Sequence, residues 1–291
     1  MDSRSRLQDL LPRIVVAPSF LVILLFVYGF IAYTGYLSLT DSKMLPSSTL
    51  VGFGNYVKLW ALPHWWRAFS NLLIFASLYI VICSVMGLGL AILLDQKIRA
   101  EGLLRPIYLY PMALSFIVTG TAWKWFLDPG IGLENTMHLW GWESFAFTWI
   151  KDRNYAIYCV VIAAVWQSSG FVMAMFLAGL RGVDNEIIKA AQVDGATPFM
   201  TYRRIIIPLM RPVFLSAFVV LAHLAIKAYD LVIALTGGGP GRATEMPATF
   251  MYSYTFTRNQ MGIGASSAVI MLMTIAAIMV PYLYSELKEK P

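Results

Sequence analysis

The chain has 291 residues, 58% of them apolar and only 13% charged, with a mean hydropathy of +0.66. A soluble domain carries roughly a quarter charged residues, so this composition excludes an ordinary soluble enzyme and points to an all-α integral membrane protein. The formal net charge of +6 calls for no nucleic-acid partner, because the basic residues fall where membrane topology places them.

A spanning helix needs about 20 apolar residues, and six stretches qualify, approximately 14–37, 71–94, 106–127, 155–180, 212–236 and 261–284. The first is too long for a cleavable signal peptide, and Tyr33-Thr34-Gly35-Tyr36 supplies no small-residue cleavage site, so it reads as a retained anchor. Six crossings place both termini on one side. Arg4, Arg6 and Arg13 precede the first stretch, Lys97, Arg99 and Arg105 follow the second, and Lys288 and Lys290 end the chain. Arg181, Lys189, Arg203, Arg204 and Arg211 fill the fourth connection. The opposite loops carry only Lys43, Lys58, Arg67, Lys151, Arg153, Arg242 and Arg258 over a greater length. Excess positive charge marks the cytoplasmic side, which predicts cytoplasmic termini and a cytoplasmic fourth connection.

The outer loops hold Trp60, Trp65, Trp66, Trp140, Trp142 and Trp149. Two compatible readings are an aromatic belt at headgroup depth and a docking surface for an extracytoplasmic partner. Near the middle of the fourth stretch lies Trp166-Gln167-Ser168-Ser169-Gly170. Amides and hydroxyls at that depth need partners, which either a neighbouring helix or a polar solute supplies.

The fourth connection reads as two short helices hinged at Gly195. Asp184 is placed to cap the first, with Glu186 in the opening turn where the helix dipole favours negative charge. Gly195 suits the left-handed conformation that ends a helix, and Thr197-Pro198 starts the next. Such a hinged pair is suited to sit in a partner's groove. Lys189-Ala190-Ala191, Asp194-Gly195-Ala196, Ile205 and Ile207-Pro208 resemble the cytoplasmic coupling loop of permease subunits in ATP-binding-cassette importers, the sugar-uptake branch above all. Leu235-Thr236-Gly237-Gly238-Gly239-Pro240-Gly241 is similar to the tight turn after the fifth span of sugar permeases.

That resemblance covers roughly residues 55–284. It implies an N-terminal span and first outer loop over 1–69, a permease domain over 70–284 with its coupling loop at 181–211, and a cytoplasmic tail at 285–291. Glu186, Lys189, Ala190, Ala191, Asp194 and Gly195 are then the residues that couple to the ATPase, with Lys189 departing from the usual acidic residue. Carried over along the coupling loop, the substrate pathway falls on Trp166, Gln167, Ser168 and Phe171, and on Leu221, Ala225 and Ala228. The implied partners are a second homologous permease, two ATPase subunits, an extracytoplasmic sugar-binding protein and membrane lipid, in a bacterial plasma (inner) membrane. Residues 107–114 (IYLYPMAL) and 281–287 (PYLYSEL) look similar to permeases of the glucose or mannose type. A polyol or other non-sugar solute is the alternative cargo.

No GxxxxGK[ST] occurs in the chain, so it lacks the loop that cradles nucleotide phosphates. ATP and Mg are expected in the partner ATPase, and this chain is expected to hold no cofactor. His64, His138 and His223 match no metal spacing, and Cys83 and Cys159 both fall inside spans, so metal and disulfide sites are not expected. His223, Lys227 and Asp230, at i, i+4 and i+7, are predicted to share one helix face opposite Leu221, Ala225 and Ala228. There Lys227 and Asp230 are expected to pair in a structural network rather than serve as a substrate or proton relay, the latter the one relay candidate a proton-coupled transporter would have.

Overall fold

The computed structural model describes residues 15–96 and 100–288, with side chains through residue 284. Arg4, Arg6, Arg13, Lys97, Arg99 and Lys290 lie outside the described residues, as does the side chain of Lys288, so much of the predicted charge asymmetry falls there. Among the described residues the chain is helical and contains no named strand; one isolated bridge joins Thr40 and Leu50.

Two compact units are present, one reaching to Leu62 and including Met251–Ile270, the other comprising Pro63–Phe250 and the chain from Met271. The first unit contains α1, Val15–Ser38, whose apolar window is 0% buried. A helix apolar on all sides and unburied along that window is suited to lipid. Beyond it lies α2, Gly54–Ala61. Asn55 Nδ2 donates to the carbonyls of Ser38 at 3.0 Å and Thr40 at 2.8 Å, satisfying acceptors that the end of α1 leaves open.

The second unit is built around α7, Ala156–Arg181, 72% of whose apolar window is buried. Before it come α3 (Pro63–Asp95), α4 (Glu101–Ala113), α5 (Phe116–Leu127) and the short α6 (Leu133–Leu139). After it come α8 (Asn185–Val193), α9 (Pro198–Leu209), α10 (Arg211–Ile226) and α11 (Asp230–Thr236). α7 packs on α3, α4 and α10, and its core includes Val172, Met173, Phe176 and Leu177 against Phe75, Tyr79 and Leu221. Small residues allow the closest approaches: a Cβ on Gly170 would overlap the Tyr108 carbonyl of α4. The short α12, Pro247–Tyr252, and the long α13, Met261–Lys288, follow.

Two of the expected spans are broken. The third divides into α4 and α5, bent by 99°. Leu114 and Ser115 are extended there, and Ser115 caps α5 by accepting from Val118 N at 3.3 Å. Pro111, lacking an N–H, lies just before the break. The fifth stretch divides into α10 and α11, with Lys227–Tyr229 between them. α9 and α10 form a second bent pair, at 66°. Four unbroken helices are thus long and apolar enough to cross a membrane, or up to six spans if each bent pair counts as one.

Trp65 departs from its expected place at the outer surface. It is wholly buried and packs edge-on against Phe250, ring centroids 5.2 Å apart. Its position at the start of α3 gives the ring an apolar neighbour within the helix bundle. Trp60, Trp66, Trp140, Trp142 and Trp149 are exposed.

Candidate functional site

The hinged segment has the local geometry its residues call for. Asp184 accepts a hydrogen bond from Glu186 N at 2.9 Å, capping α8. At the other end Gly195 N donates to Gln192 O at 3.1 Å and Ala196 N to Ala191 O at 2.9 Å, the paired bonds of a Schellman termination. Gly195 has φ +79, a conformation that a Cβ disfavours. Thr197 then accepts from Met200 N at 3.3 Å, with Pro198 as the first residue of α9.

Glu186, Lys189, Ala190 and Asp194 are exposed on this hairpin, whereas Ala191 is buried. Reading the sequence for charge and capping missed its apolar tips: Val193 is 88% and Phe199 72% exposed, with Ile187 also uncovered. Their signal was available, as large apolar side chains flanking a polar hinge. Beside the hairpin the ends of α3, α4 and α7 are tied to one another. Arg181 Nη2 bonds Glu101 Oε1 at 2.8 Å, and its Nε stands 3.8 Å from Asp95 Oδ1.

The residues assigned to the pathway do not form one constellation. Trp166 is partly exposed, edge-on to Trp123 at 5.9 Å, and lines an apolar cavity of about 590 Å³ with Ile82, Met86 and Pro111. Gln167 and Ser168 are buried and point elsewhere. Gln167 Nε2 donates to Leu114 O, at the break between α4 and α5, at 2.8 Å, while its buried Oε1 has no hydrogen-bond partner among the described residues. Tyr79 Oη donates to Ser168 Oγ at 2.6 Å. Phe171 is half-buried against the core, Leu221 and Ala225 are buried, and Ala228 is half-buried.

Ala228 instead meets Tyr79, Ala164, Lys227 and Asp230 around a cavity of about 40 Å³. This corrects the expected stripe of His223, Lys227 and Asp230. Helical periodicity holds only while the helix continues, and α10 ends at Ile226, with Asp230 opening α11. Nor is there an ion pair between Lys227 and Asp230 among the described residues; both side chains are exposed.

The glycine-rich turn after α11 is held from within. Gly237, Gly238 and Gly241 take positive φ, and Asn71 Nδ2 donates to both Ala243 O and Glu245 O at 2.9 Å. Burial raises the Glu245 carboxyl above its ordinary range, opposed by Arg242, whose Nη1 lies 3.8 Å away.

Residues 2–289 match the family model of the binding-protein-dependent transport system inner membrane component. The chain belongs to that family. Inner membrane components of this kind are transport subunits rather than enzymes, which agrees with a bundle of apolar helices carrying an exposed polar hairpin. The chain is 40% identical over 278 residues to a probable ABC transporter permease protein of Pyrococcus horikoshii, covering 94% of this chain and 95% of the relative. It is 33% identical over 276 residues to the xylose/arabinose import permease protein of Haloferax volcanii, covering 93% and 86%. In fold it is similar to a chain of a bacterial ABC transporter involved in the import of the acidic polysaccharide alginate, with TM-score 0.83, 19% identity and 99% of each chain covered. At that identity the likeness speaks to fold alone.

Proposed function

We propose that this inner membrane component is the permease subunit of an ATP-driven sugar importer and forms half of its translocation pathway. The observation that carries this reading is the exposed α8–α9 hairpin. Its capped helices, positive-φ hinge and uncovered Val193 and Phe199 offer a helix-in-groove contact to an ATPase subunit. Glu186, Lys189, Ala190, Ala191, Asp194 and Gly195 are proposed to transmit the ATPase's closure through that contact. The assembly consists of this chain, a second homologous permease, two ATPases that bind ATP and Mg, and an extracytoplasmic binding protein. Counting each bent pair as one crossing makes six spans with both termini cytoplasmic. A neutral monosaccharide of the glucose or mannose type is the proposed cargo, supported by the likeness of residues 107–114 and 281–287 to permeases of that type. The domain division follows, with 1–69 as anchor and outer loop, 70–284 as permease domain and 285–291 as tail.

Copurification tests the assembly. The tagged chain, solubilised from native membranes, is expected to bring down a second permease and an ATPase, and alone to show no saturable ATP binding. Recovery as an isolated subunit, or ATP affinity of its own, removes the proposal.

Within this reading Trp166 borders the route taken by the sugar, and the buried or half-buried Gln167, Ser168, Phe171, Ala225 and Ala228 are proposed to support its wall. Trp166→Ala and Gln167→Ala are expected to lower uptake several-fold, the first through lost stacking surface and the second through a lost hydrogen bond, about 0.5–1.5 kcal/mol. The check is uptake kinetics normalised to assembled complex. Wild-type rate and affinity in both variants places the route elsewhere, whereas reduced assembly in proportion to reduced uptake assigns both residues to packing.

A further inference from the structure

Two breaks in the helical backbone meet at one small cavity. Phe116 opens α5 immediately after the Leu114–Ser115 break, Lys227–Tyr229 separate α10 from α11, and all four of Phe116, Lys227, Tyr229 and Asp230 line the same space. Counted from Arg211, the 16 residues of α10 rise about 24 Å at about 1.5 Å per residue, which leaves the second break inside an apolar layer about 30 Å thick. Non-helical backbone at such depth is tolerated only where it is buried in protein or lines an aqueous cavity. Exposed ammonium and carboxylate groups at that depth face protein or water rather than lipid. The exposed side chains of Lys227 and Asp230 therefore look onto a route or a subunit seam, with the cavity behind them.

The chemistry of the cavity decides between these. Its wall carries an acceptor at Asp230, a donor at Lys227 and aromatic faces at Phe75, Tyr79 and Phe116. Tyr79 is already held in place by its bond to Ser168. A carboxylate can accept from two neighbouring hydroxyls, an ammonium donates to ring or hydroxyl oxygen, and aromatic rings cover C–H faces. Because the two charges are opposite and form no ion pair with each other, a solute whose charge is all of one sign gains from one and is opposed by the other, whereas an uncharged polyhydroxylated solute satisfies both. The cavity, about 40 Å³, has room for a water or a single hydroxymethyl arm, a water needing about 10–15 Å³. The ring of a sugar then rests outside it, against Lys227 and Asp230.

We propose that Lys227 and Asp230, with Tyr79 behind them, form a binding station for the hydroxyls of an uncharged sugar or polyol at the break of the fifth span. This rests on the sugar-import reading and names residues outside the pathway set given above.

The test uses the complete importer, with its partner permease, ATPases and binding protein, in proteoliposomes. Labelled glucose, mannose, xylose, sorbitol and glycerol 3-phosphate are the probes. Asp230→Asn is expected to raise the KM for the transported solute about tenfold, the effect of losing a hydrogen bond to a charged group, with Lys227→Met somewhat less and Asp230→Glu partly restored. Complex recovery is expected at the wild-type level. A second measurement does not depend on transport: Asp230→Cys should react with a polar thiol reagent and be protected by the transported sugar, read on this chain after separation of the subunits, where Cys83 and Cys159 are buried. Protection by sorbitol but not by the sugars would identify a polyol as the source of the hydroxyls. Unchanged KM in both charge variants, loss of assembly matching loss of uptake, or a cysteine that is unlabelled or unprotected overturns the station while leaving the importer reading standing. Absence of saturable uptake of every neutral probe by the wild-type complex overturns both.

Discussion

Gly195→Pro abolishes uptake while the chain stays in the membrane: that is the expected result of locking φ near −65° at a residue that sits at +79. Proline also removes the N–H that bonds Gln192 O at 3.1 Å. Together these changes cost about 3 kcal/mol or more, enough to destroy the Schellman termination and the angle between α8 and α9. A β-branched residue is expected to do less harm. Its Cβ meets nothing within 4 Å, and Gly195→Val keeps the N–H, so it carries the left-handed penalty, about 1–2 kcal/mol or more for a β-branched side chain, without the lost hydrogen bond. Gly195→Asn, which tolerates this conformation, should keep most activity. The check is uptake together with substrate-stimulated ATPase activity in the reconstituted complex. Normal values for the proline variant would remove the hinge from the coupling mechanism.

The second large effect is expected at Gly170. A side chain there would overlap the carbonyl of Tyr108, with Tyr108 C at 2.6 Å and Leu109 N at 3.3 Å also in the way. These are backbone atoms of α4, which cannot rotate aside as a side chain can. Overpacking typically costs about 1–3 kcal/mol, and contact with backbone falls at or above the upper end. Gly170→Val should therefore fail to yield folded, monodisperse protein after solubilisation. Gly89→Ala is the matched control, because a Cβ there meets nothing within 4 Å and helix propensity alone favours alanine by roughly 0.5–1 kcal/mol. Equal yields and melting temperatures for the two variants would contradict the close packing of α7 on α4.

Much of this molecule follows from local pattern. Apolar length and low charge are properties of the sequence summed over a window, so the membrane class and the placing of helices such as Val15–Ser38 and Ala156–Arg181 were legible without coordinates. The coupling hairpin was legible for a related reason. Asp184, Gly195, Thr197 and Pro198 act on their own backbone neighbours, and capping chemistry spans only a few residues. What a window cannot contain is the neighbour across the bundle. Trp65 looks like an interfacial tryptophan until Phe250 is set against it. Gln167 and Ser168 look like one polar patch until Leu114 and Tyr79 draw them to different partners. His223, Lys227 and Asp230 share a face only if the helix runs on. The end of α10 at Ile226 and the cavity that the break shares with α5 depend on two spans meeting. Side-chain direction in a helix is set by local geometry, whereas which break, cavity or carbonyl a side chain finds is set by residues distant in sequence. The pairing of the two broken spans was therefore decided by tertiary packing alone.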